Sequence, residues 1–268
     1  MSRGDDNRRA AGAETGPAGL YAREIPGEGD EALVLLHGFG GSHHIWDEVI
    51  AHLDSSRPIL AYDLPGHGKS LDAFRDGAAA SFARMILADL DARGMVSVHL
   101  VGHSLGGAVS VLVGLFEPQR VRSMTLLAPG GFGPEINASL LQQLARSETE
   151  EDIASSLRAM AAPSFAPSET LVRQTWKERS VPGQRETLER LFARIVRDGR
   201  QGAFTAAQLA TLTIPVQLVW GELDPVLPVQ QAANAPADFQ VKRLPGLGHM
   251  LPLEAPREMA RLICGISG

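Results

Sequence analysis

Short apolar runs recur along the chain, and most of them end at glycine or proline. "ALVLLHG" (32–38), "RPILAYDLPGHG" (57–68), "VSVHLVG" (96–102) and "VRSMTLLAPGG" (121–131) come first, then "IPVQLVWGELD" (214–224) and "FQVKRLPGLGH" (239–249). Runs of this length bounded by turn residues read as buried strands. Between them the apolar spacing changes to every third or fourth residue, the period of a helix. That holds for "SFARMILADLDARG" (81–94), "LGGAVSVLVGLFEP" (105–118) and, at the end of the chain, "EAPREMARLI" (254–263). Continuous apolar strands separated by helices predict an α/β chain, a mostly parallel twisted sheet covered on both faces.

One interval breaks this alternation. Between 134 and 208 the helical spacing persists in "SLLQQLARSETEEDIASSLRAM" and "RETLERLFARIVRDG", without a strong strand. The expected organisation is a core of residues 19–133 and 209–268 interrupted by a helical cap at 134–208. Residues 1–18 are polar and small and read as a disordered or tag-like tail.

Composition narrows the function without naming it. The chain of 268 residues is 44% hydrophobic and 21% charged, which fits one globular α/β unit. Its net charge of −6 argues against nucleic acid, which needs a clustered basic face. The N-terminal stretch lacks the apolar core of a signal peptide, and no apolar run is long enough to span a bilayer, so a cytoplasmic location without membrane attachment is expected. The single cysteine, Cys264, reads as a small residue packed in the last helix, and no cysteine–histidine spacing suits a metal. Neither metal nor cofactor is expected. The partner expected is a small-molecule substrate, and a homodimer is allowed.

The chemistry gathers where apolar runs end. In "VGHSLGG" (101–107), Ser104 stands between Gly102 and Gly106 where a strand gives way to a helix. Such a turn pushes a side chain outward, and the flanking glycines permit strained dihedrals and close backbone approach. The helix behind it offers free N–H groups and a partial positive charge to a developing oxyanion. A serine needs a base, and the base needs an orienting acid. Asp224 follows one strand and His249 the next, in the chain order serine, acid, histidine. Taken singly, Asp224 also reads as a turn aspartate before Pro225 and His249 as a loop histidine; Glu222 competes as the acid. "HGFGG" (37–41) is the expected source of the second oxyanion donor, which pairs the N–H of Phe39 with that of Leu105. Asp63 reads as a turn or structural residue. Among the histidines, His37 and His67 read as loop braces, His103 as a group beside the site, and His43 and His44 as side chains that could reach the pocket but more often would be exposed. Leu140, Leu144, Met160, Phe165 and Trp176 are the cap's apolar candidates for lining the pocket, with packing of the cap helices on one another as the alternative for most of them, and His103 and Met250 complete the expected pocket.

At these motifs the chain resembles the α/β-hydrolase fold superfamily. "LLHGFGGSHHIW", "AYDLPGHGKS", "VGHSLGGA", "VWGELDPVLP" and "LPGLGHMLPLEAP" carry the resemblance, which covers nearly the whole chain from about residue 20. "LLAPGGFGPEIN" (126–137), "DGRQ" (198–201) and "GHMLPLEAP" look like the hydrolase-like domain of the acetoin dehydrogenase acyltransferase component, without that family's lipoyl domain. The His-x-x-x-Asp-Gly motif of lipoamide acyltransferases is absent, so acetyl transfer does not follow from the resemblance. What it implies is a serine hydrolase acting on a small ester, lactone or thioester through an acyl-enzyme. Ser104 argues against the dehalogenases and epoxide hydrolases of this fold, which use aspartate. Meta-cleavage carbon–carbon hydrolases typically have asparagine before the serine and tryptophan after the histidine, where this chain has His103 and Met250. A carbon–carbon hydrolase remains an alternative, as does a non-catalytic ligand-binding or acyltransferase-associated module on the same fold.

Overall fold

The structure is a computed structural model that describes Gly16 and residues 19–267; apart from Gly16, the expected tail at 1–18 lies outside the described residues. Seven strands are described: β1 (Ala22–Ile25), β2 (Glu31–Leu36), β3 (Ile59–Tyr62), β4 (Ser97–His103), β5 (Val121–Leu127), β6 (Val216–Gly221) and β7 (Gln240–Leu244). They form one sheet in the order β1-β3-β2-β4-β5-β6-β7. Every pairing is parallel except β1 with β3. The central strands are mostly apolar and covered, as in "ILAY" of β3, because both faces carry helices. Two edges depart from expectation. β1, "AREI", is too short and too polar to stand out as an apolar run, and it is held by antiparallel pairing to β3. β7 is largely exposed rather than buried, as befits an edge strand.

The flanking helices are α1 (Asp47–His52), α2 (Ala79–Ala92), α3 (Leu105–Phe116) and, last in the chain, α9 (Leu251–Glu254) and α10 (Pro256–Ser267). α1 packs on α10, and α2 on α3. Between β5 and β6 come α4 (Ala138–Arg146), α5 (Glu150–Met160), α6 (Glu169–Arg179), α7 (Gln184–Ile195) and the short α8 (Ala206–Leu209). α5 begins with a capping box in which the Thr149 hydroxyl accepts from the Asp152 N–H and the Asp152 carboxylate accepts from the Thr149 N–H.

The strand order sets the site. From β2 the chain crosses to β3 on one side, then to β4 on the other, so β2 and β4 flank a switch point at the carboxyl edge of the sheet. Loops leaving adjacent parallel strands in opposite directions open a crevice there. Leu36, which ends β2, is the register partner of Gly102, two residues before Ser104.

Candidate active site

Ser104 follows the last residue of β4 and precedes the first residue of α3. Its backbone stands at φ 52° and ψ −114°, a conformation that side-chain-bearing residues rarely adopt. The strain therefore rests on the serine itself and not, as the sequence suggested, on its glycines. Gly102 and Gly106 serve close approach instead. A Cβ on Gly106 would lie 2.2 Å from the Leu36 carbonyl oxygen, and one on Gly102 would lie 2.4 Å from the carbonyl oxygen of Gly106. Only bare backbone lets α3 begin so close to the end of β2.

His249 and Asp224 approach from the next two strands. Gly221, the last residue of β6, lies against the loop after β7; a Cβ there would stand 2.2 Å from the Gly248 oxygen. That contact brings both loops together, and His249 Nδ1–H donates to Asp224 Oδ2 at 2.8 Å. Both side chains are fully buried. Trp220 Nε1 also donates to Asp224 Oδ2, while Oδ1 accepts the N–H groups of Val226 and Leu227, at 2.8 Å each. The carboxylate is thus fixed in orientation, and it directs the imidazole to keep its proton on Nδ1. Glu222, the competing acid, is exposed.

Two further groups hold the histidine loop. His103 Nε2–H donates to the His249 carbonyl oxygen at 2.9 Å. Burial, with the charge of neighbouring His249 adding to it, keeps the His103 pKa well below the ordinary histidine value. Glu254, which the sequence reading passed over, accepts the N–H groups of Gly248 and Met250 on either side of His249, and of Ala162 beyond α5. Two of its partners lie within six residues of it, and the fold brings up the third, Ala162.

The loop after β2 completes the arrangement. His67 Nε2 accepts from Gly40 N–H, and His37 Nε2 accepts from Leu64 N–H while its Nδ1–H donates to Gly38 O. Both imidazoles must stay neutral to accept. Burial pushes His37 down to about 4 and holds His67 well below the ordinary value. The Phe39 and Leu105 N–H groups have no hydrogen-bond partner among the described residues, and both residues line the cavity that Ser104 and His249 line. Such paired free donors can receive an oxyanion.

That cavity measures about 440 Å³, within the usual range for a small-molecule site. His103 and Met250 line it as expected. Leu140, Phe165 and Trp176 do not. On α4 it is the neighbouring Leu141, together with Leu144, that faces in, since adjacent helical residues point about 100° apart. Trp176 Nε1–H donates to the Glu148 carbonyl oxygen, away from the cavity, and Phe165 packs partly buried after α5. One histidine also differs from expectation. His43 is buried and donates through both its N–H and Nδ1–H to Asp63, whereas His44 is half-buried and lines the cavity. Asp63 also accepts Lys69 N–H, so it fastens loops rather than serving the site. Cys264 is half-buried on α10, its Sγ 3.6 Å from the Asp54 carbonyl oxygen. Among the described residues no group of His, Cys, Asp and Glu could hold a metal ion, and no helix is long and apolar enough to cross a membrane.

Comparison with known proteins yields one family. The model of the alpha/beta hydrolase family matches residues 33–262. Over 247 residues the chain is 34% identical to the dihydrolipoyllysine-residue acetyltransferase component of the acetoin cleaving system of Pseudomonas putida, matching over 92% of its own length and 66% of that relative's. It is 31% identical over 215 residues to the 2-hydroxy-6-oxononadienedioate/2-hydroxy-6-oxononatrienedioate hydrolase of Burkholderia vietnamiensis, covering 76% of this chain and 74% of the relative. Among solved structures, a serine hydrolase involved in carbazole degradation superposes with a TM-score of 0.80 at 19% identity, covering 94% of this chain and 96% of that one. This last likeness speaks to the fold.

Proposed function

Because the chain belongs to the alpha/beta hydrolase family, we propose that it is a serine hydrolase cleaving a small ester, lactone or thioester through an acyl-enzyme. The observation that carries this reading is the Asp224–His249 hydrogen bond beside a strained Ser104 on one shared cavity. In the proposed reaction His249 Nε2 takes the Ser104 proton as Oγ attacks the carbonyl carbon. The carbonyl oxygen becomes an oxyanion held by the N–H groups of Phe39 and Leu105. Collapse of the tetrahedral intermediate expels the alcohol or thiol, which receives the proton from His249. Water, deprotonated by the same nitrogen, then releases the acid and restores Ser104. No cofactor enters these steps. We take residues 134–208 as a cap that covers the cavity and selects the substrate.

A carbon–carbon hydrolase is the second reading, favoured by the 31% identity to the dienedioate hydrolase. The carboxylate of Glu178 in the cavity counts against a dicarboxylate substrate here. The likeness to the acetoin-system component covers about two thirds of that protein, and it supports an association with acyl-transfer machinery only as a third reading. The test is steady-state hydrolysis of p-nitrophenyl acetate and butyrate beside a dienone diacid, with Ser104→Ala as control. Ester turnover that vanishes in the variant supports the proposal. Turnover of the dienone alone supports the second reading, and turnover of neither moves the binding-module reading ahead.

A further inference from the structure

The cavity is apolar over most of its wall but has one acidic corner. Glu178 lies near the end of α6, and Leu171, Thr175 and Glu178 share the helix face that lines the cavity. Ser42 Oγ donates to Glu178 Oε1 at 3.1 Å, Gln174 Nε2 donates to the same oxygen at 3.0 Å, and His44 Nε2 stands 3.7 Å from it. All three contacts fall on Oε1. Oε2 has no partner among the described residues.

A carboxylate oxygen on a mostly apolar cavity wall, its side chain 21% exposed, is a strong acceptor that a bound ligand would cut off from water unless it brings a donor. Burial, with neighbouring Asp63 adding to it, raises the Glu178 pKa, which is consistent with a carboxylate short of compensating charge. The nearby charges offset the corner only in part. Asp47 sits behind His44, accepting from its Nδ1–H at 2.9 Å, and is itself paired with Arg23; the Asp47 hydrogen bond, with Glu178 adding to it, raises the His44 pKa. Arg179 turns away, donating to the carbonyl oxygens of Leu144 and Gly40. Arg194 also lines the cavity, but it is exposed.

We propose that Glu178, with Ser42 and His44, is a specificity-determining corner that accepts a hydrogen bond from a hydroxyl group of the substrate. The preferred substrates are therefore apolar esters carrying a neutral hydroxyl, and carboxylate-bearing esters are rejected. This rests on the esterase reading of the same cavity. Discrimination follows from the orphaned acceptor: a plain ester leaves Oε2 desolvated and unpaired, whereas a hydroxyl satisfies it.

The test separates recognition from catalysis. Binding to the Ser104→Ala protein is measured by calorimetry for ethyl hexanoate, ethyl 6-hydroxyhexanoate, 2-hydroxyethyl hexanoate and monoethyl adipate, and kcat/KM for the same esters is measured with the unaltered serine. At least one hydroxylated ester should bind about tenfold more tightly than ethyl hexanoate, and monoethyl adipate most weakly. Glu178→Leu should erase the hydroxyl preference. The near-isosteric Glu178→Gln keeps an acceptor for Ser42 and should relieve the penalty on monoethyl adipate. Equal binding of plain and hydroxylated esters, a preference that survives Glu178→Leu, or no binding of any ester overturns the proposal. The expected preference without turnover by the unaltered serine would sink the hydrolase reading alone, and turnover without preference would sink this corner alone.

Discussion

Replacing Asp224 by asparagine changes one atom of the site, and the structure dictates how the new side chain must sit. Oδ1 accepts two backbone N–H groups, and Oδ2 accepts Trp220 Nε1–H and His249 Nδ1–H. An asparagine whose amide nitrogen faced Val226 and Leu227 would set a donor against two buried donors. Facing the other way, it keeps both of those bonds and confronts Trp220, which retains the Leu227 carbonyl oxygen at 3.0 Å. The second orientation is better by roughly one buried unsatisfied donor, about 1–3 kcal/mol. In that orientation the amide donates to His249 Nδ1 and forces the imidazole proton onto Nε2, where the base must be free. Activity should fall by about four orders of magnitude, about 5 kcal/mol of transition-state stabilisation. Folding stability should fall by no more than about 1–3 kcal/mol, since one donor at most loses its acceptor. The assay is kcat/KM on p-nitrophenyl butyrate beside urea unfolding of the same preparation. A folded Asp224→Asn protein that keeps a tenth of the activity would refute the tautomer argument.

Acid should weaken the fold through its buried neutral histidines. His37 has a native pKa of about 4 against 6.5 when unfolded, so below pH 6.5 the unfolded chain binds a proton that the native one refuses. Stability is then full above pH 6.5 and falls as the pH drops towards 4, by about 2 kcal/mol at pH 5 from His37 alone. His67 and His103 shift in the same direction and steepen the fall; urea unfolding at pH 7.5 and 5 checks this, and equal midpoints would contradict it. Gly106→Ala puts a methyl against the Leu36 carbonyl and should cost at least about 1–3 kcal/mol while moving the Leu105 N–H, so thermal midpoint and kcat should fall together. Glu254→Ala frees the backbone on both sides of His249 and should lower kcat well beyond any change in KM. Steady-state kinetics showing an unchanged kcat would remove Glu254 from the positioning of that loop.

What the sequence made legible were features decided locally. Ser104, Asp224 and His249 each sit just past an apolar run, and parallel strands deliver such positions to one edge whatever the rest of the chain does. Most strands and the long helical interval follow from hydrophobic spacing for the same reason. The pocket wall followed only in part: Leu144 and Met160 line the cavity, whereas Leu140, Phe165 and Trp176 do not. Leu140 and Leu141 are adjacent leucines on an amphipathic helix, and only the packing of α4 over the cavity decides which of them faces in. Glu178 stands on a helix rich in charged and polar residues and has no local mark of a site. Its signal, an i, i+4, i+7 face running from Leu171 through Thr175, acquires meaning only once that face is seen to meet Ser42 and His44. His43 was misjudged because its partner, Asp63, lies twenty residues away, across the switch from β2 to β3. β1 carries too few apolar residues to announce itself and exists through its pairing with β3.

The most direct test of the central claim is intact-mass analysis after treatment with a small fluorophosphonate, on the unaltered chain and on Ser104→Ala. One adduct is expected on the unaltered chain and none on the variant, because only a serine activated by His249 and faced by oxyanion donors reacts at neutral pH. A folded chain that takes up no adduct, or an adduct that persists in Ser104→Ala, would contradict it.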